Sequence, residues 1–199
     1  MTFDESNRLT EMIHSVPRLQ EVPPLATAIA DKFGALPEVV AVALAGSRTS
    51  GTSNDASDYD FYVYVQQEIP VEIRKKIARK FSDRIEINNQ FWEPGDEWID
   101  ASSGCGVDVM YRTPQWIEQQ LDRVLVHHQA SVGYTTCFWW NVLTSAPLYD
   151  EKKLVQTATR KGKPTLSRTP QKSNYCQKLP HPTANYFLLY ASVKTGNSP

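Results

Sequence analysis

The stretch from residue 39 to residue 65, VVAVALAGSRTSGTSNDASDYDFYVYV, constrains the fold more than any other part of the chain. Residues 39–44 are a short apolar, β-branched run that breaks into Ala45-Gly46-Ser47 and a loop of Ser, Thr and Gly, the pattern of a strand feeding a turn. The loop closes on Ser57-Asp58-Tyr59-Asp60, and residues 61–65 follow as an aromatic and β-branched run, so two acids stand at the start of a second strand. Side chains at i and i+2 leave a strand from the same face, which sends the Asp58 and Asp60 carboxylates the same way. Two adjacent anions repel unless a cation sits between them, and Mg²⁺ is the usual cation when a phosphate is also present, because it takes one or two carboxylates together with substrate oxygens.

The residues ahead of the acids supply the other half of such a site. Gly46 lets backbone approach a ligand closely, Ser47 offers a hydroxyl and an N–H, and Arg48-Thr49-Ser50-Gly51 suits a short helical turn with its first amides aimed at an anion. A third acid interrupts another apolar run, Gly106-Val107-Asp108-Val109-Met110-Tyr111. An unpaired charge buried there would be costly. With Val107 and Val109 facing one way, Asp108 faces the other, where neighbouring strands would bring it to Asp58 and Asp60. Each piece alone has an ordinary structural reading: Asp-x-Asp as a solvated strand end, Gly-Ser as a turn, Asp108 as a partner of Arg112. An EF-hand reading of SNDASDYD fails, since the loop lacks Gly at its sixth position and Glu at its twelfth.

The order strand, GSRTSG, SDYD, strand, helix, then an acid inside a further strand resembles the nucleotidyltransferase superfamily that includes DNA polymerase β and the antibiotic nucleotidyltransferases. The resemblance covers roughly residues 25–150. It implies an α/β (α+β) fold, a mixed, twisted sheet of four or five strands with helices mainly on one face and further helices C-terminal to it. It also implies that Asp58, Asp60 and Asp108 hold two Mg²⁺ ions and carry catalysis, with an NTP as donor substrate held at Gly46, Ser47, Arg48 and Ser57. One metal would clamp the triphosphate and the other activate an attacking hydroxyl. The reaction so implied is transfer of a nucleoside monophosphate to a hydroxyl of a small molecule, aminoglycoside-like among the candidates, or of a protein. The alternative is a non-catalytic nucleotide-binding module of the antitoxin type; a metal-dependent phosphohydrolase is a third reading of the same acids.

Composition bounds the partners. With 41% hydrophobic and 22% charged residues the 199-residue chain can bury a core, and a net charge of −1 gives no reason to expect nucleic acid. The average hides an asymmetry, since residues 1–150 carry 12 Lys+Arg against 21 Asp+Glu while residues 151–199 carry 9 against 1. Three organising segments follow: a catalytic core over 1–112, C-terminal helices over 113–150, and a basic, divergent tail over 151–199 that turns polar and aperiodic from Thr157 apart from residues 186–193. Cys105, Cys137 and Cys176 have no metal-type spacing and are odd in number, so a reduced, cytoplasmic protein is expected. The first residues do not form a signal peptide, and nowhere is an apolar run long enough to span a bilayer.

Elsewhere the periodicity predicts helices over 4–15, 25–33 and 71–81, the last with Val71, Ile73, Ile77 and Phe81 inward and Arg74, Lys75, Lys76, Arg79 and Lys80 outward in solvent. A strand is expected over 84–92, with Ile85 and Ile87 on one face, and then a loop, EPGDEWIDASSG. Its acids and aromatics read first as an ordinary acidic turn; the functional reading has Trp92 and Trp98 stacking on sugars and Glu93, Asp96 or Glu97 pairing amines. Thr113 and Pro114 start a helix, and residues 130–146, apolar almost all round, should be buried or form a homodimer surface around Phe138-Trp139-Trp140. His127 and His128 read as structural or surface residues.

Overall fold

The computed structural model describes residues 21–162 except 52, 56, 91–93 and 130–135. The helices expected over 4–15 and 186–193, the side chains of Trp92 and Glu93, the start of the apolar segment at 130 and the tail beyond 162 lie outside the described residues. In chain order the elements are α1 (Pro24–Gly34), β1 (Val39–Ala45), α2 (Ser47–Ser50), β2 (Tyr59–Val65), α3 (Val71–Ala78), β3 (Ile85–Asn89), β4 (Gly95–Ile99), β5 (Gly106–Arg112), α4 (Pro114–Leu125), α5 (Thr136–Thr144), β6 (Ala146–Tyr149) and α6 (Leu154–Gly162).

The strands form one mixed sheet in the order β3-β4-β5-β2-β1-β6. The hairpin β1–β2 is antiparallel, with Ala45 opposite Asp60, and β2 runs parallel to β5, with Asp60 opposite Asp108. β4 is antiparallel to both β5 and β3, and β6 is antiparallel to β1. The fold class is the expected one, a mixed α/β sheet packed with helices. β5 and β2 are the two central strands, and β1, beside β2, is buried along its whole length.

Period-2 alternation in those strands divides two cores between the faces of the sheet. On the first, Val42, Leu44, Phe61, Val63, Val107 and Val109 pack with Ala26, Ile29, Ala30 and Phe33 of α1 and with Ile77 and Ala78 of α3. The spacing 26, 29, 30, 33 is one helical stripe, and Pro24 starts the helix where its missing N–H costs nothing. On the second face Ala41, Ala43 and Ala45 present little more than methyl groups, and with Tyr62 and Tyr64 they pack against Ile117 and Leu121 of α4, Phe138 and Val142 of α5, and Val155 and Ala158 of α6. The C-terminal helices therefore cover the face that α1 and α3 leave open. At the head of α4 the Thr113 side chain accepts from the Trp116 amide at 3.1 Å, with Pro114 at the first helical position, as expected of that pair.

Several local expectations are corrected. Residues 95–99, expected as part of a loop, form strand β4, because Asp96 and Trp98 point into the first core and Glu97 to the other face. Trp98 is buried and stacks on Phe81, ring centroids 6.3 Å apart, so it is a core residue and no sugar platform. Arg74, expected in solvent, is 4% exposed and paired with the 1% exposed Asp96 at 3.2 Å. Phe138, in the segment expected to be buried or to form a dimer surface, is buried edge-on to Trp116. Residues 146–149 add a sixth strand at the sheet edge, where Pro147 is tolerated. The expectation of an aperiodic tail from Thr157 is also corrected: helix α6 runs through Thr157 to residue 162 and sets Val155 and Ala158 into the second core.

The Arg74–Asp96 pair explains how an acidic strand is buried. Asp96 also accepts from the Tyr111 hydroxyl at 2.6 Å and from the Asn88 amide at 2.8 Å, while Arg74 donates to the Asn88 side-chain oxygen at 3.1 Å. Those bonds tie α3, β3, β4 and β5 together. Asp96→Ala would leave the Arg74 charge buried without its partner and should lower unfolding free energy by about 3 kcal/mol, read from the denaturant midpoint. A loss under about 1 kcal/mol would show that the network is replaceable by water.

Candidate active site

The site is built where β1 ends. Gly46 follows it with φ 71° and ψ −152°, a conformation essentially confined to glycine. A side chain is excluded there for a second reason: a Cβ on Gly46 would fall on the Asp60 carboxylate, 2.8 Å from its Cγ. The Gly46 carbonyl accepts from the Thr49 and Ser50 amides at 3.3 and 3.2 Å and from the Thr49 hydroxyl at 3.1 Å, which coils residues 47–50 into the single turn α2. Among the described residues nothing accepts a hydrogen bond from the Ser47 amide or hydroxyl.

Asp60 faces the same side of the sheet as Ala45 and Asp108, its opposite numbers on β1 and β5. Asp58, two residues earlier, stands opposite Gly106, and a Cβ on Gly106 would lie 2.9 Å from the Asp58 Cγ. Glycine at 106 is what gives the Asp58 carboxylate its room. The structure thus brings Asp58, Asp60 and Asp108 together on one face beside the Gly46–Ser47 turn, the acids leaning on two glycine α-carbons where any side chain would displace them. As placed, no three His, Cys, Asp or Glu side chains among the described residues are grouped to hold a metal ion between them.

Electrostatics give the set its character. Burial, reinforced by the charges of Asp108 and Asp58, pushes the Asp60 carboxyl up to about 7 from an ordinary 3.8, and the nearby Arg48 guanidinium only partly opposes this. A carboxylate so disfavoured as an anion gains most from a cation placed against it. Three acids with two glycine gaps fit Mg²⁺ in donor chemistry, since hard oxygens are what it takes and its remaining positions are filled by water and phosphate.

Arg48 and Ser57, the other two sequence candidates, are engaged with the chain itself. Arg48 donates through Nε to the Asp58 carbonyl at 3.2 Å, through Nη2 to the Ser57 carbonyl, and through the same nitrogen to the Cys105 Sγ at 3.6 Å. Its guanidinium lies 3.8 Å over the Tyr59 ring. The Ser57 hydroxyl accepts from the Asn54 amide at 2.9 Å and closes the turn before the acids.

Two acids on this face escaped the sequence reading in part. Glu97 is opposite Asp108, and Glu86 is opposite Glu97, so Asp60, Asp108, Glu97 and Glu86 form one row across four strands. The alternation Asp96, Trp98 against Glu97, Ile99 carried the signal, but it is legible only once residues 95–99 are taken as a strand. Two cavities lie at the other end of β1, around Val40, Gln66 and Lys152.

No family model matches the chain, and no curated protein matches it. Among solved structures, the crystal structure of a toxin–antitoxin with AMP-PNP is similar over 69% of this chain and 80% of its own, at 16% identity and a TM-score of 0.36. A cytoplasmic RNA terminal U-transferase is similar over 70% of this chain, at 11% identity and a TM-score of 0.35. This chain spans 42% of that transferase's length. At such values neither assigns this chain an activity. Among the described residues no helix is long and apolar enough to cross a membrane.

The raised Asp60 pKa sets a pH dependence with a definite sign. The unfolded chain ionises this group near 4 and the folded chain near 7, so the contribution of Asp60 to metal-free stability is greatest below pH 4, declines as pH rises toward 7 and is flat above it. Asp60→Asn should abolish that decline and leave the metal-free protein more stable at pH 8, by on the order of 2–4 kcal/mol. Denaturant unfolding of both proteins in EDTA at pH 5 and pH 8 measures it, and equal pH dependence would remove the electrostatic account.

Proposed function

We propose that the protein is a Mg²⁺-dependent nucleotidyltransferase, moving a nucleoside monophosphate from an NTP to an acceptor hydroxyl with release of pyrophosphate. The observation that carries this reading is the convergence of Asp58, Asp60 and Asp108, from β2 and β5, beside a glycine turn with an uncommitted Ser47 amide and hydroxyl. Asp58 and Asp60 would hold the ion that neutralises the triphosphate, and all three acids the second. Bound there, Mg²⁺ supplies charge neutralisation of the phosphates and a lowered pKa for a hydroxyl on it.

The chain's own contribution is positional. Gly46 lets backbone come close to the β,γ-phosphates, and the Ser47 N–H and hydroxyl donate to their oxygens. Asp108 sits on the side of Asp60 away from that turn, where it faces the incoming hydroxyl and accepts its proton. The acidic row continues from Asp108 through Glu97 to Glu86, so the acceptor approaches over anionic surface. An acceptor bearing amines, a small molecule or a basic protein segment, suits that surface better than a nucleic acid. The buried Asp96 and Trp98 are removed from that surface. The reading also carries a cytoplasmic, reduced setting and a homodimer as parts of the proposal.

Two measurements test the function. Isothermal titration with a non-hydrolysable NTP should show binding that needs Mg²⁺ and is lost in Asp58→Ala with Asp60→Ala. Incubation with α-labelled NTPs and a panel of aminoglycosides, polyamines and basic proteins should show label transfer by the wild type, at least ~10³-fold slower in Asp108→Asn. Metal-dependent binding with no transfer to any acceptor would leave a nucleotide-binding module. Phosphate release without an acceptor would make the protein a phosphohydrolase. Glu97→Gln should raise KM for an amine-bearing acceptor several-fold and leave KM for the NTP unchanged.

A further inference from the structure

Arg48 follows Gly46-Ser47 directly, and its place in the sequence suits a phosphate ligand. Its contacts are of another kind. At least three of its N–H vectors go to the chain's own acceptors, on two segments remote in sequence: the Ser57 and Asp58 carbonyls of the loop before β2, and the Cys105 sulfur just ahead of β5. One face of its guanidinium is covered by Tyr59, which is itself 7% exposed. Cys105, 8% exposed, hands the connection on by donating to the Asp55 carbonyl at 3.3 Å.

A planar five-donor fork is the one side chain that can make such a set while stacked on a ring; an ammonium on a flexible stem cannot. The backbone atoms it holds are those of Ser57 and Asp58, and the sulfur it holds belongs to the residue before Gly106, against which Asp58 rests. We propose that Arg48 is a positioning residue: it fixes the Asp58 segment against the head of β5, and so sets the geometry of the three carboxylates, instead of binding the nucleotide's phosphates. The role of the carboxylates rests on the function proposed above; the clamp itself does not.

The consequence is a split that a phosphate ligand would not show. Loss of the clamp loosens residues 55–60 and uncovers Cys105 whether or not any ligand is present. It weakens metal binding in the absence of nucleotide, and it leaves metal-free nucleotide affinity alone. A phosphate ligand does the reverse on each count.

The test compares wild type, Arg48→Met and Arg48→Lys. Iodoacetamide labelling of Cys105, read by peptide mapping that separates it from Cys137 and Cys176, should accelerate at least tenfold in Arg48→Met, with faster amide exchange across residues 57–60. Mn²⁺ affinity without nucleotide should fall about tenfold, while ATP affinity in EDTA should hold within twofold. Arg48→Lys keeps the charge and the fold but not the fork, and should show the same changes at smaller size. Unchanged Cys105 labelling together with a loss of ATP affinity in EDTA would overturn the proposal. If the wild type binds neither Mn²⁺ nor ATP, the functional reading falls, and labelling and exchange still decide whether Arg48 is the clamp.

Discussion

Like charges brought together out of water are the constraint on which the rest of this structure depends. Asp60 and Asp108 are direct neighbours across the parallel β2–β5 pair, and Asp58 adds its charge to that of Asp108 in acting on Asp60. Nothing in burial or strand pairing rewards that arrangement; the carboxyl of Asp60 is pushed far from its ordinary pKa because of it. The sheet imposes it nonetheless. Phe61, Val63, Val107 and Val109 must face the first core, and the period-2 rule then leaves Asp60 and Asp108 no other side. The apolar packing of one face supplies the free energy that holds an unfavourable electrostatic arrangement on the other.

The surroundings of the acids are small for the same reason. Ala45 lies beside Asp60 on β1, Gly46 takes a backbone conformation closed to other residues, and Gly106 lies under Asp58. Arg48 introduces one fixed positive charge without filling the space between the carboxylates, because its guanidinium is held on Tyr59 and the loop carbonyls. Charge is concentrated, volume is withheld, and the backbone on either side is tied down. That combination sets this cluster apart from an ordinary acidic surface, and it is the feature on which the proposed metal role rests.

Much of this was legible in the residues. The runs at 39–44 and 61–65 and the Val-x-Val frame around Asp108 fixed which way the acids point, since alternation leaves little choice once both flanks are apolar. Thr113-Pro114 marked a helix start for an equally local reason. Strand β4 was not legible, because Asp96 looks solvent-bound until its partners Arg74, Tyr111 and Asn88 are known, and those come from three other elements. Arg74 misled symmetrically, as one basic residue among five on an apparently solvated helix. Arg48 was placed at the site by its position after Gly-Ser, but its partners at 57, 58 and 105 are a product of folding that no local pattern encodes. The Glu97–Glu86 extension was hidden behind the missing strand.

The sole parallel pairing among the described strands joins β2 to β5, with α3 and the β3–β4 hairpin spliced into the connection. On a ribosome, β2 therefore waits for its neighbour while about fifty further residues are made, a delay that non-local pairing always entails. Until then the strand carrying Asp60 has a bare edge on that side, and the acid at its start keeps that edge from recruiting another chain. The residues that make the mature site electrostatically awkward would thus guard the nascent one against aggregation.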